Sequence, residues 1–223
     1  MKALALMPRG VGIGREEFRR YYESQHVPLA LRYFRFRKYV RNHVTSSPEV
    51  GFDCVSEFWP LEVAQAATLM QGAVGERMHE DERQFADQAR IVSAPCRETR
   101  LAGAPRRDDE TGIGKVALLL RSTPDGPTLL STLQTWAAAA ARSGRTITLD
   151  EVIGMPQDAF PCDAILWLHA PDADLGGDAD PQLPANVTIV CRTRTRAEET
   201  PAATLSVAGK FSADRLVLAE SLD

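Results

Sequence analysis

The sequence predicts an α+β protein made of two ferredoxin-like halves in tandem. Three observations predict it. Apolar and periodic segments of the first half run in the order β-α-β-β-α-β, the split βαβ arrangement. A stretch rich in Gly, Pro and charge, Gly103–Gly114 (GAPRRDDETGIG), has no hydrophobic period and reads as a linker. The second half then repeats the order loosely, with a period of roughly 110 residues. The expected units are residues 1–105, a linker at 106–114, and a degenerate copy at 115–223.

Ala3–Met7 is a short apolar run stopped by Pro8, as a buried strand requires. It is shorter than the ~7–15 apolar residues of a signal peptide's core, so the chain is expected in the cytoplasm. Gly10–Gly14 (GVGIG) is a loop without the Lys-Ser/Thr ending or the spacing of a nucleotide-binding turn. Arg15–Phe34 is helical in type, with Glu16 and Glu17 favourably placed for the helix dipole. Pro28 predicts a kink or break near Gln25–Val27, because proline removes one backbone bond. Phe36–Thr45 alternates as a strand, with Phe36, Lys38, Val40, Asn42 and Val44 on one face and Arg37, Tyr39, Arg41 and His43 on the other. Phe52–Trp59 is a third strand. Leu61–Gly72 is a helix that resumes through Glu80–Ala89, and Ile91–Leu101 is a fourth strand. In the second half Lys115–Arg121, Thr146–Met155, Asp163–Ala170 and Asn186–Arg194 are strands, and Thr128–Arg142 is a helix. Pro171–Pro184 shows no readable helix, and Ala213–Glu220 is a candidate one.

Composition narrows the function. The 26 Lys+Arg against 30 Asp+Glu give a net charge of −4, the wrong balance for a nucleic-acid binder. No apolar run reaches the ~18 residues of a membrane span. Residues 1–107 hold 17 Lys+Arg and 13 Asp+Glu, and the remainder holds 9 and 17. Eleven of the fifteen aromatics and three of the four histidines also lie before residue 108, so chemistry is expected in the first half. Cys54, Cys96, Cys162 and Cys191 form no close pair of the zinc or thioredoxin type and read as small buried thiols. A catalytic thiol needs a base, and the sequence shows none beside any of them.

The motif F-x-x-Y-Y-x-x-x-H-x-P-L within Arg15–Leu31, followed by Y-V-R-N-H-V at Tyr39–Val44, D-C-V-S-E-F-W at Asp53–Trp59 and E-D-E-R-Q-F-A-D at Glu80–Asp87, resembles the EthD family of the dimeric α/β-barrel superfamily. The resemblance covers about residues 1–101, while the second half matches by architecture alone. It implies a cleft between sheet and helices that holds a small aromatic or polyketide-like molecule, chemistry without a cofactor, and a homodimer.

The candidate acid/base residues are His26, at the helix kink, and His43, on the strand face of Tyr39 and Arg41. Glu57 is expected across the strand pair to orient His43. Arg41 and Asn42 are expected to stabilise an oxyanion, and Tyr22, Tyr39, Phe58 and Trp59 to wall the ligand. His79 sits in a charged run and His169 lacks a suitable partner, so both read as structural. No metal site is expected. Together with these residues, the resemblance implies a cofactor-free lyase of dehydratase or decarboxylase type acting on a small aromatic or phenolic metabolite. A cofactor-free oxygenase and a non-catalytic binding protein are the alternatives, and neither nucleic acid nor membrane is an expected partner.

Overall fold

The computed structural model describes residues 1–45, 50–123, 127–140, 146–156, 159–169 and 182–209. The first half contains β1 (Lys2–Met7), α1 (Arg15–Tyr21), a π-helical turn (Tyr22–His26), α2 (Val27–Tyr33), β2 (Phe36–Val44), β3 (Cys54–Pro60), α3 (Val63–Met70), α4 (Ala73–Glu82) and β4 (Val92–Ala102). The second contains β5 (Gly114–Ser122), α5 (Leu129–Ala140), β6 (Thr146–Val152), β7 (Ala164–His169), β8 (Val187–Glu199) and the short α6 (Ala202–Leu205). The strands read from sequence are therefore present, within a few residues at most ends. The segment Pro171–Pro184 lies largely, and Ala213–Glu220 wholly, outside the described residues.

All eight strands close into one barrel in the order β1-β3-β2-β8-β5-β7-β6-β4. Each half contributes four antiparallel strands in the same relative order, β4-β1-β3-β2 and β8-β5-β7-β6. Two antiparallel seams join the halves: β2 with β8, and β4 with β6. The barrel thus closes within a single chain, and the second copy expected of a homodimer is not needed to cover either sheet face.

Alternation along the strands sorts the core into three parts. Leu4, Leu6, Val55, Ala117, Leu119, Ile165 and Trp167 fill the barrel interior. Ala5, Met7, Tyr39 and Cys54 face outward onto α1, α2 and α4. Val116, Leu118, Leu120, Leu149 and Leu166 face α5. A bulge between Phe36 and Lys38 shifts the first residue of β2, so Phe36 packs on the Tyr39 side, not on the Val40 side that strict alternation predicts.

Pro28 widens the helix instead of breaking it. Proline offers no N–H, and the preceding turn takes an extra residue: the Val27 N–H donates to the Tyr22 carbonyl five positions back. The widened turn leaves both Tyr22 and His26 buried, facing the sheet core. A second close approach occurs at Gly75 in α4, where a Cβ would lie 2.0 Å from the Met70 carbonyl oxygen at the end of α3. Gly75→Ala is expected to lower stability by about 1–3 kcal/mol, measured by urea unfolding, since backbone and not a mobile side chain must yield.

Candidate active site

The site grows from the register of β2 on β3. His43 pairs with Cys54, Arg41 with Ser56, and Tyr39 with Phe58, so these six share the face under α1 and α2. Val40 pairs with Glu57 and Asn42 with Val55, so Glu57 belongs to the opposite face, inside the barrel. The expected Glu57–His43 contact is thereby overturned. One residue of register carries a side chain through the sheet.

Two imidazole–carboxylate pairs stand on the helix side. His26 Nδ1 donates to Asp81 Oδ2 of α4 at 2.7 Å. His43 Nε2 donates to Glu23 Oε1 of the π turn at 2.6 Å. The same Glu23 receives a forked contact from Arg41, Nε to Oε1 at 3.2 Å and Nη2 to Oε2 at 2.5 Å. Arg41 Nη1 donates in addition to Thr200 Oγ1 (2.6 Å) and to the Tyr39 carbonyl (3.0 Å). With these partners Arg41 holds Glu23 in place, so the oxyanion role read from sequence does not fit it.

Both imidazoles meet one phenol. The Tyr22 ring lies edge-on to His26 at 4.9 Å and to His43 at 5.8 Å between centroids. Phe85 packs on His26 and Phe18 on His43. The expected hollow between the histidines is thus occupied by Tyr22 itself. Tyr39 OH donates to Tyr22 OH (3.2 Å), which shares a hydrogen bond with Ser56 Oγ (2.7 Å). Phe58 stacks on Tyr39 at 5.0 Å. Of the predicted set, His26, His43, Tyr22, Tyr39, Arg41 and Phe58 share this face.

The electrostatics follow the contacts. Burial works against a charged His43, but the Cys54 sulfur and the Glu23 hydrogen bond outweigh it and push the ring up to about 9. Burial works against ionised Glu23, yet His43 and Arg41 bring it down to about 2. Burial and the neighbouring Tyr39 hold the Tyr22 phenol well above its ordinary range, so it stays protonated.

Glu57, Asn42 and Trp59 lie elsewhere, in a charged cluster at one end of the barrel interior. Glu57 binds Lys2 Nζ (2.6 Å), Arg106 Nη1 (2.6 Å) and Lys115 Nζ (3.2 Å), and accepts from Asn42 Nδ2 (2.8 Å). Lys2 and Arg106 both lie over the Trp59 ring. The oxygens of Glu57, Glu98 and Asp150 come within 4.8 Å of one another, and the Lys2 ammonium bonds to all three groups. His169, read as structural, joins this end through Thr148 Oγ1 at 3.2 Å, and burial beside Lys115 and Arg106 pulls it down to about 3. Sequence reasoning missed Glu23 and Asp81. A signal for Glu23 existed: it lies three residues before His26 and, once the turn is widened, faces β2.

A pocket of about 230 Å³ opens beside the site, lined by Pro8, Arg9, Gly10, Phe52, Asp53 and Arg90 among others. Its wall includes the chain neighbours of Cys54 and of Met7, which pair across β1 and β3. Residues 11–89 match the EthD domain. This segment of the chain is similar to the EthD family. The match spans the π turn, both histidines, Glu23, Arg41 and Asp81, so every group of the two imidazole pairs falls within it. No curated protein matches the chain in sequence. Among solved structures, the chain resembles a protein provisionally named a monooxygenase from Lactobacillus acidophilus NCFM, at 10% identity and TM-score 0.43, over 75% of this chain and 74% of that one. It also resembles a protein provisionally named a chlorite dismutase, TA0507, at 9% identity and TM-score 0.49, over 92% and 96%. No described helix is long and apolar enough to cross a membrane.

Proposed function

We propose that the EthD-like segment is a cofactor-independent acid/base catalyst of lyase type for a small aromatic or phenolic metabolite. One observation carries this reading: two buried imidazoles, each with its own carboxylate, stand edge-on to a single phenol. A carboxylate on one ring nitrogen fixes the tautomer and orientation and leaves the other nitrogen for proton transfer. His43, charged at neutral pH, is the acid and His26 the base. His26 removes a proton next to a carbonyl or phenol, and His43 returns one to the departing group. The adjacent 230 Å³ pocket, somewhat below the ~300–1,000 Å³ of drug-sized sites, suits a single ring.

Residues 1–105 and 115–223 are read as two ferredoxin-like units joined at 106–114, with the second unit closing the barrel. A cytoplasmic homodimer remains the expected assembly, and light scattering of the full chain tests the dimer.

His26→Ala and His43→Ala are each expected to lower turnover by ~10²–10⁴-fold with the circular dichroism unchanged. Unaltered turnover in both variants removes the proposal. An assay without oxygen separates the rivals: continued turnover supports the lyase, and its loss assigns an oxygenase. Stabilisation by phenols or aromatic acids in a thermal-shift screen, with no product formed, assigns a binding protein.

A further inference from the structure

The register that removes Glu57 from His43 puts a sulfur in its place. Cys54 is directly opposite His43 on the same face of the β2–β3 pair, and it is fully buried. Glu23 holds Nε2 of His43. The other ring nitrogen, Nδ1, is buried and has no hydrogen-bond partner among the described residues. That is the order of a nucleophilic triad: thiol, imidazole, and a carboxylate that anchors the imidazole. Apo sites of this kind often show a long thiol–imidazole contact that tightens on ligand binding. Ser56 Oγ lies 3.6 Å from the sulfur and continues the chain to Tyr22. The other three cysteines lack this setting, and burial pushes each thiol up, Cys162 to about 12.

We propose that Cys54 is a nucleophilic thiol served by His43 and Glu23, and that it adds to small neutral α,β-unsaturated carbonyl compounds. In its neutral form, whose share grows as pH approaches 9, His43 takes the S–H proton at Nδ1. The sulfur pair forms a C–S bond at the β-carbon, and the alkene pair moves through the carbonyl to oxygen. The resulting enolate takes the proton back from His43 at its α-carbon. The step is an addition that needs no oxidant or reductant. The reagent enters from the pocket walled by Phe52 and Asp53, the two residues before Cys54. Because the adduct forms without turnover, this inference stands apart from the lyase reading.

The native chain is treated with acrylamide at pH 9, where about half of His43 is neutral, and the four cysteines are followed separately by peptide mass spectrometry. Cys54 is expected to react ahead of Cys96 and Cys162, which are equally buried. His43→Gln is expected to slow Cys54 by about 100-fold and leave the other two unchanged. Glu23→Gln should slow it less. An unmodified Cys54, a rate no greater than those of Cys96 and Cys162, or an unchanged rate in His43→Gln overturns the proposal. If His43→Gln unfolds, seen as all four cysteines reacting together, the Glu23→Gln rate decides, and no change there overturns it.

Discussion

Glu57→Gln is expected to destabilise the protein by about 3–5 kcal/mol, the usual cost of removing one partner from a buried ion pair. In a chain of this length that lowers the melting midpoint by roughly 10 °C. The reason lies in what Glu57 leaves behind. Lys2 and Lys115 are buried, Arg106 nearly so, and all three hold this carboxylate. Their other partners, Glu98, Glu110 and Asp150, remain, so the cluster loses its centre but keeps its rim. Lys2→Met combined with Glu57→Gln should therefore cost less than the sum of the two single changes, measured by urea unfolding in a double-mutant cycle.

Acid adds a second test of the same cluster. Despite burial, Arg106, Lys115 and Lys2 hold the Glu57 carboxyl well below its ordinary range, and Lys115 and Arg106 do the same for Glu110. A group lowered on folding gives stability that is present above its unfolded value near 4.5 and is lost as pH falls toward the folded one. Asp150 has the opposite sign, since burial and its carboxylate neighbours raise it. Its uptake of a proton relieves the cluster in mild acid. Loss of stability should thus begin below pH 4.5 and be shallower in wild type than in Asp150→Asn.

The places where sequence reasoning succeeded and failed share a physical cause. Strand and helix order is written in periodicity, and β1 to β8 were legible because their apolar residues alternate or run together. Which face of a strand meets which is a property of the pair. Both His43 and Glu57 occupy odd positions, and only the register of β2 on β3 separates them to opposite sides of the sheet. Likewise Pro28 announces an irregular helix, but the choice between a break and a π turn depends on whether the widened turn can bury Tyr22 and His26 against the sheet. Glu23 and Asp81 carry no local mark of function, because each becomes a partner only across elements. Cys54 has no base near it in sequence, because the candidate base, His43, lies on the neighbouring strand.

Glu23→Gln is the sharper test of the site itself. In wild type His43 should titrate at about 9, well above the ordinary 6.5 of the free ring. A raised imidazole gives stability that is fully present below pH 6.5 and is lost as pH rises through 9. The difference corresponds to about 3 kcal/mol, so unfolding free energy should fall by that order between pH 6.5 and 9.5. Burial alone drives the ring the other way, so removing an attractive partner must lower its midpoint. Cys54→Ser and Glu23→Gln should each do so, read from the His43 ring protons by NMR. Glu23→Gln also leaves the Arg41 guanidinium buried without its forked partner, which adds a loss that does not depend on pH above 4.5. The two contributions separate by their pH dependence. A His43 midpoint that stays near 9 in Glu23→Gln would mean that the carboxylate merely fills space beside Arg41, and the acid assigned to the reaction would have to be another group.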